Sequence, residues 1–170
     1  MSEQGMRAGD AVHTIISKYS NMVYRLAYAR TGNRMDADDI YQDVFLKLFS
    51  KGISFDNEEH MKAWLIRTTI HTSTNLFKSA WRRYAVATDR VADVPYHPAD
   101  DERHERLGAA LDTLPEKYRV TLFLFYYEQI TTDRIAELIG VKPATVRSRL
   151  VRGRERLREK LEEKEAETDD

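Results

Sequence analysis

The stretch that decides the fold is ITTDRIAELIGVKPATVRSRLVRGRERL, residues Ile130–Leu157. Thr131 or Thr132 is placed to cap a short helix that runs through Ile139. Gly140 stops it, because glycine accepts the left-handed backbone of a helix end at no steric cost. Pro143 then opens a second helix, where its missing N–H removes nothing. A short helix, a glycine turn and a second helix form a helix-turn-helix. Ala136 falls where the two helices cross, and a small residue there permits close approach. On the second helix Val146, Leu150, Gly153 and Leu157 recur at four, three and four, so that face packs inward. The other faces carry Lys142, Thr145, Arg147, Ser148, Arg149, Arg152, Arg154, Arg156 and Arg158. Such a helix suits a major groove: arginine reaches guanine edges while flanking Arg and Ser hold phosphates.

Outward from this segment the pattern stays helical. Pro115 opens a strongly apolar helix to about Glu128. Before it, Leu107, Ala110, Leu111 and Leu114 mark a short amphipathic helix from about Glu105. Residues 85–104 break the period with Pro95 and Pro98 among acids, which reads as a flexible linker. Three more helices precede it. Val12, Ile15, Ile16, Tyr19, Val23, Leu26 and Ala27 predict one over about Asp10–Arg30, ended by Thr31-Gly32-Asn33. Ile40, Val44 and Leu48, widened by Tyr41, Phe45 and Phe49, predict a second over Asp36–Ser50. A third follows the caps Asp56-Asn57 and spans Glu58–Tyr84, despite a β-branched middle of poor helix propensity. The fold class is therefore all-α: two small helical domains, residues 1–84 and 105–160, joined by the linker. The acidic tail, 161–170, is expected to fray. Packing of the two domains on each other would hide both DNA-binding faces.

Charge is divided among blocks. The whole chain of 170 residues carries a net charge of -1. Yet residues 141–160 hold eight basic groups against two acidic ones, and residues 61–84 hold five basic groups and no acid. Two basic blocks separated by an acidic stretch suggest two contacts with a polyanion. The earlier block mixes Lys62, Arg67, Lys78, Arg82 and Arg83 with Trp64, Phe77, Trp81, Tyr84, His71 and Asn75. Aromatic, basic and short hydrogen-bonding residues together suit unpaired DNA bases. Trp64 reads as core; Trp81–Tyr84 reads equally as core or as nucleic-acid contact. On the second helix Asp39, Gln42 and Asp43 follow one edge, either a protein-binding surface or a solvated face.

Much is excluded. There is no cysteine, so no disulfide, thiol nucleophile or cysteine metal site. No apolar run approaches the ~18 residues of a membrane span, and the N-terminus lacks an apolar signal core. A cytoplasmic protein without membrane insertion is expected. The five histidines show no HExxH spacing, and no GxSxG or P-loop is present. Neither catalytic residues, metal ligands nor cofactors are expected.

Three stretches in order resemble the extracytoplasmic-function sigma factors of bacterial RNA polymerase, within the sigma-70 family. Asp36–Lys47 is similar to the family's core-binding segment. Trp64–Arg67 with Lys78–Arg83 is similar to its minus-ten segment. Leu111–Arg119 with Thr145–Leu150 and Arg152–Arg154 is similar to its minus-thirty-five domain. The resemblance implies a non-enzymatic factor that docks on core RNA polymerase, directs it to promoters and helps open the DNA. Asp39, Gln42 and Asp43 would meet the polymerase clamp helices. Arg67, His71, Asn75, Lys78, Arg82 and Arg83 would bind the minus-ten element, with the loop Ile53–Glu59 nearby. Ser148, Val151 and Arg152 would face minus-thirty-five bases. Lys142, Thr145, Arg147, Arg149 and Arg154 would complete that contact, the last three mainly on phosphates. Expected partners are core polymerase, double- and single-stranded promoter DNA, and an anti-sigma factor. The alternative is a helix-turn-helix regulator that acts without polymerase docking. His71 and Asn75 stand where many members have Asn and Asp, and Arg134 stands where Glu is common.

Overall fold

The computed structural model describes the backbone of residues 8–84 and 102–169, and the side chains of residues 11–79 and 106–169. Its first three helices are α1 (Ala8–Thr31), α2 (Arg34–Ser50) and α3 (Glu58–Tyr84). Gly32, at φ 73°, ends α1 by donating its N–H to the Tyr28 carbonyl at 2.7 Å. Asn33 then caps α2. Its Oδ1 accepts the Asp36 N–H at 2.8 Å, and its Nδ2 donates to the Asp36 carboxylate at 2.6 Å. A two-residue joint thus satisfies both helix ends, and α2 folds back along α1. Val23, Leu26, Ile40, Val44, Leu65 and Ile66 are fully buried between the three helices.

The β-branched middle of α3 is helical for a local reason. Thr69 Oγ1 donates to the Leu65 carbonyl at 2.7 Å and Ser73 Oγ to the Thr69 carbonyl at 2.6 Å. Each hydroxyl is satisfied within its own helix, so both residues can be buried without an orphaned donor.

The second half holds α4 (Glu102–Asp112), α5 (Glu116–Leu122), α6 (Thr132–Ile139) and α7 (Pro143–Thr168). Three expectations need correction. The helix expected from Pro115 to Glu128 gives way after Leu122 to a π-helical turn, Phe123–Tyr127. There the Glu128 N–H reaches back five residues to the Phe123 carbonyl at 3.2 Å. Across this wider turn Leu124 is buried while Tyr126 and Tyr127 stay exposed. Second, α4 begins at Glu102, so the last residues of the expected linker are helical; positions 85–101 lie outside the described residues. Third, the acidic tail is helical over most of its length. Helix α7 continues through Thr168, supported by Arg158–Glu162 and Lys160–Glu163 pairs one turn apart.

The helix-turn-helix forms as expected. Thr131 Oγ1 caps α6 by accepting the Arg134 N–H, Gly140 is left-handed, and Pro143 starts α7. Arg134 instead pairs with Glu137. Gly153 has a packing reason. A Cβ there would stand 3.3 Å from Tyr118 Cβ and 3.2 Å from Leu122 Cδ1, so α7 crosses α5 at close approach.

The two halves are not apart. Helix α1 packs on α5, α3 packs on α6, and the buried residues of both form one continuous cluster. Burial lowers the Arg119 guanidinium below its ordinary range, against the pull of Glu116 and Asp112. Its Nε donates across the seam to the Ala29 carbonyl at 2.9 Å.

Candidate nucleic-acid and protein interfaces

Helix α7 presents its candidate residues in two rows. Val146, Leu150 and Gly153 are buried and fix the helix against α5 and α6. Thr145, Ser148, Arg149 and Arg152, spaced three, four and seven apart, border one cleft of about 360 Å³. Lys117 and Tyr118 of α5 form its other wall, and no carboxylate lines it. Arg152 and Ser148 are exposed, whereas Arg149 is half-buried. The second row, Arg147, Val151 and Arg154, is exposed as well, and so is Lys142 at the helix start. Arg154 Nη1 donates to Tyr126 Oη at 2.8 Å, so the π-helical turn steadies the far end of the row. Lys117 is absent from the residues the sequence singled out. It is far from α7 in sequence, and only the fold brings it beside Arg149 and Arg152.

On α3 the stripe Arg67, His71, Asn75 and Lys78 is exposed at spacings of four, four and three. A row at that spacing lies on one helix face. The hydroxyls of Thr69 and Ser73 point the other way, into the core. Trp64 packs against the core, edge-on to Phe55 of the preceding loop at 5.8 Å, as the core reading expected. Arg82 and Arg83 lie on the last turn of α3, their side chains outside the described ones.

On α2 the acid edge divides. Asp39 and Gln42 are exposed, but Asp43 is half-buried and bonded to Lys47 Nζ at 2.9 Å. Lys47 also donates to Thr72 Oγ1 of α3, which ties Asp43 to the helix packing. The surprise is apolar. Met35 is 72% exposed and Leu46 65%, and Phe49 is exposed beside them. With Asp39 and Gln42 they form one row, 35-39-42-46-49, the four-three seam spacing of a helix that pairs with another helix. The signal is present in that spacing, but Phe49 also widens the Ile40, Val44 and Leu48 stripe and so reads as core from the sequence. The described candidate residues of these three faces are exposed or half-buried although the two halves pack together, so the packing does not hide them.

Among the described residues no helix is long and apolar enough to cross a membrane, and no three acid or histidine side chains converge as a metal site.

Comparison with known proteins agrees with this layout. The family model "Sigma-70 region 2" matches residues 15–83, and "Sigma-70, region 4" matches residues 104–157. These define a two-region sigma-70-type protein. The ECF RNA polymerase sigma-E factor of Haemophilus influenzae is 30% identical over 167 residues, with 89% of this chain and 88% of that protein covered. The ECF RNA polymerase sigma factor SigE of Mycolicibacterium smegmatis is 35% identical, and there the match spans 91% of this chain but 63% of that protein's length. Among solved structures, the sigma factor RpoE of Bartonella quintana, in complex with the anti-sigma factor NepR, shares the fold with a TM-score of 0.66 at 23% identity. That match covers 89% of this chain and 97% of RpoE. This chain belongs to the ECF sigma factors.

Proposed function

We propose that the chain docks on core RNA polymerase, directs it to specific promoters and helps open the DNA, with no catalytic step of its own. The observation that carries this reading is the set of three exposed faces, each of a different chemistry. The amphipathic α2 row, Met35, Asp39, Gln42, Leu46 and Phe49, suits a partner helix of the polymerase. The α3 stripe of Arg67, His71, Asn75 and Lys78, with Arg82 and Arg83 at its end, suits unpaired minus-ten bases. The α7 rows suit a minus-thirty-five major groove. Separating base pairs costs about 1.4 kcal/mol per stacking step. Base capture on α3 and the polymerase contacts supply that together.

We assign residues 1–84 to polymerase and minus-ten binding and 102–160 to minus-thirty-five binding, joined by 85–101 and followed by the acidic 161–170. The chain acts in the cytoplasm, and an anti-sigma factor is a further partner of the kind seen with RpoE. The test is transcription with purified core polymerase on promoter templates. Promoter-specific transcripts that require this chain support the reading. A DNA footprint at equal affinity with and without polymerase would support the helix-turn-helix regulator instead.

A further inference from the structure

Arg154 is held from outside its own helix. Its Nη1 donates to Tyr126 Oη at 2.8 Å, across 28 residues of sequence. Both side chains are exposed, so burial does not force the two together. Tyr126 is itself held. It belongs to the π-helical turn, which the Glu128 N–H closes on the Phe123 carbonyl at 3.2 Å and the Ile130 N–H on the Leu124 carbonyl at 3.1 Å. Leu124 anchors that turn in the core, and the Tyr126 ring stands edge-on to the Phe125 ring at 5.0 Å. The phenol is thus carried on ordered backbone while 50% of the residue meets solvent. A phenol oxygen that accepts from a guanidinium keeps its own O–H to donate. Arg154 keeps its remaining N–H groups, and among the described residues it is in no ion pair. The pair therefore presents several donors side by side, with a positive charge that no carboxylate neutralises.

We propose that Tyr126 is a positioning residue for Arg154, and that the two form one seat for a backbone phosphate of the minus-thirty-five duplex. The proposal rests on the minus-thirty-five reading given above and adds to it a residue from outside α7. Two oxygens of one phosphate accept at once from two donors that stand within hydrogen-bond distance of each other. The placement fits a backbone rather than a base. At 3.6 residues per turn Arg154 lies about 40° around α7 from the buried Leu150, whereas Ser148 and Arg152 lie about 160° from it. A side chain on the flank of a helix seated in a groove meets the sugar–phosphate edge, and one opposite the buried face meets the bases. The bond to Tyr126 also holds the guanidinium in advance, so that less rotamer freedom is lost when the phosphate arrives. The hydroxyl then serves twice, accepting from Arg154 and donating to the phosphate.

Tyr126→Phe keeps the ring and its contact with Phe125 and removes only the hydroxyl, so its thermal melt should match the parent. The test is binding of the full chain, with core polymerase, to fluorescent promoter duplexes that differ in the minus-thirty-five element, over a range of salt. Tyr126→Phe should weaken every duplex alike, about fivefold, as for loss of a hydrogen bond to a charged group. It should leave the salt slope unchanged, because the phenol carries no charge. Arg154→Ala should lower that slope by about one. On the Arg154→Ala background Tyr126→Phe should cost less than about twofold, because its effect runs through Arg154. Arg154→Lys keeps the charge without the planar fork, and should keep the slope while the coupling to Tyr126 falls. Unaltered affinity for Tyr126→Phe, or fully additive losses in the double variant, would overturn the seat and leave the promoter reading standing. A loss for Tyr126→Phe already present in core binding without DNA would make the phenol a polymerase contact and overturn the seat as well. Failure of the parent chain to form any promoter complex with core polymerase would overturn the promoter reading, and the seat with it.

Discussion

Arg149 and Arg152 stand three residues apart on α7 and border the same cleft, yet their surroundings differ. Arg152 is exposed on the side of Ser148. Arg149 is half-buried and also borders the cleft between the two halves. Arg152→Ala should therefore flatten base preference at one minus-thirty-five position, a loss of about 1–3 kcal/mol of discrimination. Arg149→Ala should weaken all promoters alike and lower the salt slope by about one. A promoter-variant transcription series at fixed salt separates the two; equal losses for Arg152→Ala on every variant would make it a phosphate contact too. On α2, Asp39→Ala and Leu46→Ala should each weaken core binding by about 1 kcal/mol, roughly fivefold, in a polymerase titration. Asp43→Ala should matter less there, since Asp43 already pairs with Lys47. Unaltered affinity for both Asp39→Ala and Leu46→Ala would return that face to plain solvated surface. The charged members of these sites were legible because charge is costly to bury and so reports the surface. Leu46 and Met35 were not, since an apolar residue on a helix reads first as core.

Helix ends were the best-read elements. Gly140, Pro143 and the Thr131 cap fall where their chemistry requires, and α3 keeps its expected bounds. The joint at Asn33 carries more than a turn, because it caps α2 from both its amide atoms. Asn33→Ala should cost about 1 kcal/mol, read as a lower urea midpoint with the slope unchanged. The π-helical turn at Phe123–Tyr127 left no trace in the sequence. It is set by which aromatic rings the core can accept, a tertiary demand without a local code. Gly153 was read only as part of an inward face; its neighbours explain the missing side chain. Gly153→Val should destabilise the C-terminal half by about 2 kcal/mol, because Tyr118 Cβ is rigid backbone-borne mass and cannot yield. A thermal melt of Gly153→Val matching the parent would mean that α7 is free to move away from α5.

At the scale of the molecule, two domains with separate faces were legible, but their contact was not. Arg30, Glu116, Lys62 and Glu128 look like ordinary solvated residues one at a time; only the fold pairs them across the seam. Limited proteolysis should cut first within 85–101, and the two helical fragments should co-elute in dilute salt and separate in concentrated salt. First cuts inside 58–84 would contradict the two-unit division. The unbroken length of α7 has one more consequence. Its 26 residues make a rod of about 39 Å at 1.5 Å per residue. Its first two-thirds bear seven basic groups, Arg147 to Lys160, and its last turns four glutamates, Glu162, Glu163, Glu165 and Glu167. Such a rod is an electric dipole fixed in the body of the protein. In the field of a duplex it feels a torque that brings the arginines forward and swings the glutamates away before any contact forms. Glu162 lies about 20 Å along the helix from Arg149, beyond the ~8 Å screening length of physiological salt, so the far end repels without weakening the bound state. Removing residues 161–170 should thus leave the dissociation rate of a promoter complex intact while more collisions arrive misaligned. Stopped-flow association at low ionic strength would show this as a larger non-productive fraction.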